Sequence, residues 1–411
     1  MPAFRPFRGL RYAVDAPLDD LVAPPYDVVT SQERCALARR HPANAIHVEL
    51  PEPLDDQGMD RYTAAAEHLR AWQADGTLRS DPAEALYRYR MTTADGQVTT
   101  GIIGLVRCEP EGGDVLPHEE TIPKDTTDRL QLLRACTANL SPIWGLSLAS
   151  GLATQSRDPR PPDVSASAEG VTHDLWVVDD PAAIAEICRT VGSAPVVIAD
   201  GHHRYHTALT YAGEVRHHTA GDPTTGSGPG DTADPAGTVD GSIEADWVMA
   251  LIVELAPGEL HVGAIHRTVR TMDDPARLQA AMAEHFDTVP VANPDDDTTL
   301  TLVTADGCWA LSPNPATVAA VGTDLDSATV RALTASVPGA VVGFEPDRAT
   351  AVAMVTAGDA DAAFLLRPVS VQSIGAWAAG RRRMPPKSTY FMPKPRTGMV
   401  FRIFEPESPV T

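Results

Sequence analysis

Lysine is scarce in this sequence. Lys124, Lys387 and Lys394 are the only three among 33 lysines and arginines, which leaves 33 − 3 = 30 arginines. Where arginine is so dominant, a lysine survives more readily where a compact point charge serves better than a planar fork, and the plainer reading is that the three positions are chance. Cysteine is also sparse: Cys35, Cys108, Cys136, Cys188 and Cys308 are scattered, odd in number and never spaced as CxxC. That excludes a disulfide framework and a structural zinc site of the usual spacing. Positive charge is lacking overall, with a formal net charge of −22. A nonspecific nucleic-acid binder would be basic, so nucleic acid is not the expected partner. No run approaches the roughly 20 apolar residues needed to span a bilayer. The first residues, MPAFRPFRGLRYAVDAP, lack the apolar stretch of a secretory leader. The expectation is a protein of the cytoplasm with no membrane partner. Long single-sign tracts are absent too, and 43% of residues are hydrophobic, which excludes wholesale disorder.

What is present is 411 residues of alternating strand and helix patterns, enough for two or three domains. The class read from these patterns is mixed α/β. Residues 1–150 are expected to form an N-terminal mixed α/β region and 171–411 a second α/β region, with a disordered insertion at 216–242. In the first region, SQERCALARR (31–40) and DRYTAAAEHLRAWQAD (60–75) have helical periodicity, and IHVEL (46–50) alternates like a short strand. Residues 85–109 form a hairpin by pattern, with Asp95-Gly96 at the turn. A helix is expected from about Asp125, followed by the strand IWGLSLA. Residues 150–170 are rich in Pro, Ser and Asp and read as a loop. Then come the strand LWVVD, the helix PAAIAEICRTV, the buried strand APVVIAD, a helix over about 202–212, and the strand DWVMALIVEL. The insertion is low in complexity, and its composition cannot build a packed core.

The most informative segment is VVIADGHHRYHTALTYAG (196–213). An apolar strand ends at Asp200, Gly201 makes a turn, and a helix starts with His202, His203, Arg204 and His206 in its opening residues. A strand, tight turn and helix start form an anion site, because the first helical amides point outward and the helix dipole is positive there. Arg204 adds a fork suited to phosphate oxygens. The plainer reading is that Asp200 caps the helix and the histidines are solvated. His202 and His206 are four apart, as metal ligands on a helix can be, but the glutamate of an HExxH pair is missing, so a zinc hydrolase is the weaker alternative.

Two further segments carry chemistry. His118-Glu119-Glu120 precede Lys124, Asp125, Asp128 and Arg129. Carboxylates beside a lysine can hold Mg²⁺ or activate a hydroxyl, though an ordinary capped helix would look the same. The stretch 381–398, RRRMPPKSTYFMPKPRTG, carries Lys387, Lys394 and Arg396 on a proline-shaped backbone in an otherwise acidic chain. It can close over a phosphorylated ligand, or it can be a basic loop that binds nothing. APPYDVV (23–29) offers Tyr26 and Asp27, and Asn44, His47 and Glu49 lie close by.

DGHHRYHTAL resembles the signature of a bacterial and archaeal family of unknown function. FRPFRGLRY, APPYDV, HPANAIHVELP, the HEET…KDTTDRLQLLRA…NLSPI block and MPPKSTYFMPKPRTG resemble that family's blocks in its order, over nearly the whole chain. Locally, DGHHR followed by Tyr is similar to the nucleotide-phosphate motif of the ParB, sulfiredoxin and free serine kinase superfamily. The resemblance implies a ParB/sulfiredoxin-like element embedded in a larger mixed-sheet architecture. It makes Gly201 the turn and His203 and Arg204 the phosphate-contacting pair. His202 stands where sulfiredoxins have a reactive cysteine, so their thiol chemistry is not expected and the kinase-like form fits better.

The expected function is a nucleotide-dependent phosphotransferase acting on a small hydroxylated metabolite, with free serine or phosphoserine as the class the resemblance implies. A phosphatase of a small phosphorylated metabolite and a nucleotide-binding sensor are the alternatives. ATP or ADP and Mg²⁺ are the expected cofactors. Catalytic candidates are Glu119, Glu120, Asp200 and His202. Binding candidates are Gly201, His203, Arg204, His206, Lys124, Lys387, Lys394 and Arg396. Asp200 and Glu119 are the candidate metal ligands. Arg204→Ala is expected to lose phosphate-ligand binding without losing the fold.

Overall fold

A computed structural model describes residues 1–54, 58–110, 112–120, 127–221, 242–271, 275–292, 294 and 297–404. The architecture is mixed α/β. The chain divides into two compact units: one takes residues 1–117, 123–260 and the chain from 393 onward, the other 118–122 and 261–392. Residues 150–170 therefore lie inside the first unit.

In the first unit the described residues form a nine-stranded sheet. Its order across is Val115–Pro117, Val196–Asp200, Ile143–Ser147, Trp247–Glu254, Val98–Arg107, Leu86–Thr93, Val171–Val178 and Val164–Ala168, with Phe4–Arg5 also pairing Val98–Arg107. Two pairings are parallel, Val196–Asp200 with Val115–Pro117 and Trp247–Glu254 with Ile143–Ser147, and the others are antiparallel. Strands covered on both faces read as continuous apolar runs. Val196–Ala199 and Trp247–Val253 are such runs, buried at every residue. Ile187 and Val191 from the helix Pro181–Val191, and Tyr205 and Ala208 from the helix His202–Gly221, pack on Ile143, Ile198, Val248 and Ile252. A second core gathers Leu37, Ile46, Val48, Leu69, Trp72, Leu132 and Phe401 between the helices Ser31–Arg40, Arg61–Ala74 and Thr127–Cys136. Helix starts follow local chemistry. Thr30 and Glu33 form a capping box, and Asp60 and Asp180 accept from first-turn amides.

The second unit has a six-stranded sheet among its described residues, in the order Phe286–Pro290, Gly307–Pro313, Thr301–Thr304, Ala362–Leu365, His266–Thr271 and Ala340–Glu345, antiparallel throughout. Side-chain alternation divides its core. Leu302 and Phe364 meet the helices Pro275–His285 and Asp326–Ala335, while Val303, Ala363 and Leu365 meet Arg348–Thr356.

Four expectations need correction. Residues 46–50 are not a strand, because Ile46–Glu49 is one helical turn. Asn44 Oδ1 accepts from Ile46 N and starts that turn, while the burial of Ile46 and Val48 against the helical core imitates strand alternation. Residues 150–170 are not all loop: Leu152–Gln155 is helical, and Val164–Ala168 pairs with Val171–Val178. Glu169 (φ 52) and Gly170 (φ 76) make that hairpin's two-residue turn, with both residues on the left-handed side as a twisted hairpin requires. The helix from His202 does not stop near Ala212 but runs to Gly221, braced by the ion pairs Arg134–Glu214 and Arg216–Asp246. Residues 216–221 are therefore helical, 222–241 lie outside the described residues, and Ser242, the last residue of the expected insertion, is buried. Finally, the basic segment 381–398 is not loop throughout. It is shared between the two units and includes the short strand Tyr390–Met392, with Ser388, Thr389, Arg396 and Thr397 buried.

Candidate functional site

In the first unit the strand Val196–Asp200 delivers Asp200 to the sheet end, and Gly201 turns the chain at φ +85°. Tyr205 N donates to Gly201 O (2.9 Å), opening the ladder of a 20-residue helix and putting its positive end at residues 201–204. Only glycine fits the turn comfortably. A Cβ at Gly201 would lie 3.1 Å from both Arg204 Nε and Ile143 Cγ2. Gly201→Ala is expected to cost about 1–2 kcal/mol in equilibrium unfolding, because backbone strain and crowding act together.

Two cations meet on Asp200. Lys394 Nζ lies 2.6 Å from Oδ1, and Arg204 Nη2 lies 3.0 Å from Oδ2. Burial alone would raise this carboxyl, but Lys394 and Arg204, with His202 nearby, hold it well below the usual carboxylate range. Arg204 is anchored further: its Nη1 donates to Ser141 Oγ (3.0 Å) and to Pro142 O. Burial works against its charge, yet Asp200, Asp27, Glu49 and Tyr26 outweigh that and raise its pKa.

A cavity of about 60 Å³ adjoins Arg204, lined among others by Tyr26, Glu49, Arg129, Ser141 and Thr207. Glu49 is 2% exposed, and its Oε1 accepts from Tyr26 N and Ser141 Oγ, both at 3.2 Å. Arg129 donates to Glu49 O (2.8 Å) and its guanidinium lies 4.2 Å over the Tyr26 ring. Thr207 Oγ1 is buried with no hydrogen-bond partner among the described residues. Glu49, Ser141 and Arg129 are the residues that motif reading undervalued. The signal for Glu49 and Ser141 was the HPANAIHVELP and NLSP blocks, where Asn44, Glu49, Asn139 and Ser141 are buried, and Arg129 lies in the KDTTDRLQLLRA block.

The other candidates are distributed as follows. His206 is exposed on the helix. His202 and His203 stand at the helix start beside the Asp200 cluster. Arg396 is buried in the first unit, with Nη2 2.7 Å from Glu169 Oε2. Glu119, Glu120 and Lys387 belong to the second unit. There Glu119 Oε2 accepts from Ser388 N (3.2 Å) and lies 3.4 Å from His118 Nε2, which is 2.7 Å from Thr389 Oγ1. Burial lowers the pKa of Arg267 to about 10, opposed by Glu119. Glu120 forms an exposed pair with Arg331 at 2.9 Å. Lys387 is exposed, at φ 59°, and its carbonyl accepts from Arg267 Nη2 (2.9 Å). Lys124 lies outside the described residues.

Both Asp200 oxygens are taken by cationic side chains, and the described residues include no group of three or more His, Cys, Asp or Glu able to hold a metal ion. The pair proposed from sequence, Asp200 and Glu119, does not fit a resident divalent cation. Asp200 is instead the counter-ion that gathers Lys394 and Arg204. Among the described residues no helix is long and apolar enough to cross a membrane.

Fold and site thus define a mixed α/β protein with a cation-rich strand–turn–helix element. The chain belongs to the DUF1015 family, described as a protein of unknown function, whose model matches residues 4–336. No curated protein matches it by sequence. Among solved structures it is similar to a conserved hypothetical protein from Pyrococcus furiosus (10% identity, TM-score 0.36, covering 68% of this chain and 87% of that one). It is also similar to a free serine kinase in complex with AMP (10%, 0.37, 74% and 87%) and to SbnI with a C-terminal truncation from Staphylococcus aureus (12%, 0.38, 71% and 82%).

Proposed function

We propose that this protein is a nucleotide-dependent phosphotransferase acting on a small hydroxylated metabolite, with free serine as the first acceptor to test. The observation that carries the reading is the gathering of Lys394 and Arg204 on Asp200 at the positive end of the helix that begins at His202. Two cations, a glycine turn and a helix start make a seat for phosphate oxygens of ATP or ADP. The motif's resemblance to the ParB, sulfiredoxin and free serine kinase superfamily supports the nucleotide as the phosphate's source.

The roles follow from position. Gly201, His203, Arg204 and Lys394 hold phosphate oxygens, and Asp200 keeps the two cations together before the ligand arrives. Phosphoryl transfer needs little more than positioning, charge neutralisation and a base for the attacking hydroxyl. Of the carboxylates considered, Glu49 shares a cavity with Arg204 and is the residue we assign as base. Glu119 and Glu120 are the alternatives. No step is assigned to a resident metal ion; Mg²⁺ would accompany the nucleotide.

The test is to incubate the protein with O-phosphoserine, ADP and Mg²⁺ and follow phosphorus by NMR. ATP signals are expected. Inorganic phosphate alone would make the protein a phosphatase, and an unchanged spectrum would remove serine and favour a nucleotide sensor. Glu49→Gln is expected to slow turnover by about 10²-fold or more, the size of a general-base contribution. If Glu119→Gln or Glu120→Gln shows that loss instead, the base is reassigned.

A further inference from the structure

The segment that carries Lys394 is fixed to the first unit by a buried polar relay remote from the motif. Arg396 N donates to Tyr89 Oη (3.1 Å), and Tyr89 Oη lies 2.8 Å from His173 Nδ1. Among the described hydrogen bonds the Tyr89 hydroxyl has no other acceptor, so its proton goes to His173 Nδ1, and His173 carries its own proton on Nε2. The rings of Tyr89 and His173 are stacked at 5.9 Å, and both residues are buried to within 1%. Tyr89 and His173 are diagonal cross-strand neighbours, two residues out of register and so on the same face of Leu86–Thr93 and Val171–Val178, and the sheet itself holds the relay rigid: Tyr89 faces Leu175 and His173 faces Met91. Beside the relay, Arg396 Nη2 reaches Glu169 at the turn of the adjacent hairpin. Thr397 and Ala23 exchange backbone hydrogen bonds of 2.9 and 3.0 Å. Residues 396 and 397 are thus clamped, two residues from the ammonium group that meets Asp200.

We propose that Tyr89 and His173 are positioning residues: through Arg396 N they set where Lys394 sits on Asp200. The inference rests on the reading of Lys394 as a phosphate-site cation for its functional meaning, but its geometry can be tested without any ligand. A hydroxyl anchored in a sheet restrains the chain beyond it only while it accepts the Arg396 amide. Removing it lets residues 393–395 move and uncovers a lysine whose side chain is now 13% exposed.

The scarcity of lysine makes the test clean. Brief acylation with an amine-reactive ester, read by mass spectrometry, reports Lys394 against exposed Lys387 in the same molecule. In Tyr89→Phe the Lys394 rate is expected to rise several-fold while the Lys387 rate stays constant. His173→Leu, which removes the acceptor of the Tyr89 proton, is expected to act in the same direction. His173→Gln supplies a new acceptor oxygen and is expected to restore slow labelling. An unchanged Lys394 rate in Tyr89→Phe, or an equal rise at both lysines, would overturn the proposal. The functional reading fails separately: if Lys394→Ala binds ADP as tightly as the parent, Lys394 is not a phosphate-site cation even where the footprint shows the relay controlling its position.

Discussion

Arg204→Ala should lower the stability of the first unit by about 3 kcal/mol, besides weakening nucleotide binding. The motif alone suggested a side chain that could be removed without harm to the fold. Its surroundings say otherwise, since the guanidinium joins three points: Asp200 at the strand end, Ser141 Oγ, and Pro142 O at the entry to the strand Ile143–Ser147. Breaking one partner of a buried pair commonly costs 3–5 kcal/mol, because the remaining charge is left desolvated. Here Lys394 still faces Asp200, which keeps the cost toward the lower end of that range. Urea unfolding measures the loss, and ADP titration under conditions where the variant remains folded measures the binding. A variant as stable as the parent would show that the bracket to Ser141 and Pro142 contributes nothing net. Unchanged ADP affinity in the folded variant would remove Arg204 from the phosphate site.

Stability should fall steeply as the pH drops below about 6.5, and two histidines account for much of the slope. Burial, with Arg396 nearby, lowers the pKa of His173 to about 3. Burial, with Arg348 and Arg267, lowers that of His266 in the second unit to about 4. Between these values and the ordinary 6.5, the unfolded chain binds protons that the folded chain does not. Stability therefore rises with pH across this window and is lost as pH falls, by about 1.4 kcal/mol per pH unit for each histidine. His173 Nδ1 accepts the Tyr89 proton and His266 Nδ1 accepts from Leu366 N (3.1 Å), so protonating either ring also ends a hydrogen bond. Asp200 acts in the same direction but later: its depressed pKa places its loss at more acidic pH. Denaturant unfolding at pH 7, 6, 5 and 4 measures the slope. His173→Gln should flatten it by about 1.4 kcal/mol per unit between pH 6 and 4, and a parallel curve for this variant would show that His173 is not the buried neutral group.

Much of this site was visible along the chain because its centre is local. VVIAD reads as a buried strand, glycine follows, and helix periodicity resumes, so the strand–turn–helix element needs no tertiary information. The arrival of Lys394 at Asp200 is a contact across 194 residues, and only the rarity of lysine hinted at it. Glu49 was hidden for a different reason. Its segment alternates apolar and polar residues like a strand, but Asn44 starts a helical turn that directs Glu49 toward Tyr26 and Ser141. The hairpin at 164–178 was obscured by composition, since a two-residue turn of Glu169 and Gly170 lacks the Asn-Gly or Asp-Gly signal that identified the turn at 95–96. Local propensity therefore located the turn and helix start, while the charges that meet there were decided by long-range packing.

The return of residues 393–404 to the first unit has a consequence for synthesis. Lys394 meets Asp200, Phe401 pairs with Leu10, and Arg402–Ile403 pairs with Ala138–Asn139. A ribosome produces the Asp200 strand nearly two hundred residues before the lysine that completes its charge cluster. Most of the second unit, residues 261–392, is translated within that interval. The first unit can form its sheet while still attached to the ribosome, but its cation site closes only after the chain has passed residue 394. Nascent chains thus carry an Asp200 that lacks Lys394 until the segment that follows the second unit has emerged.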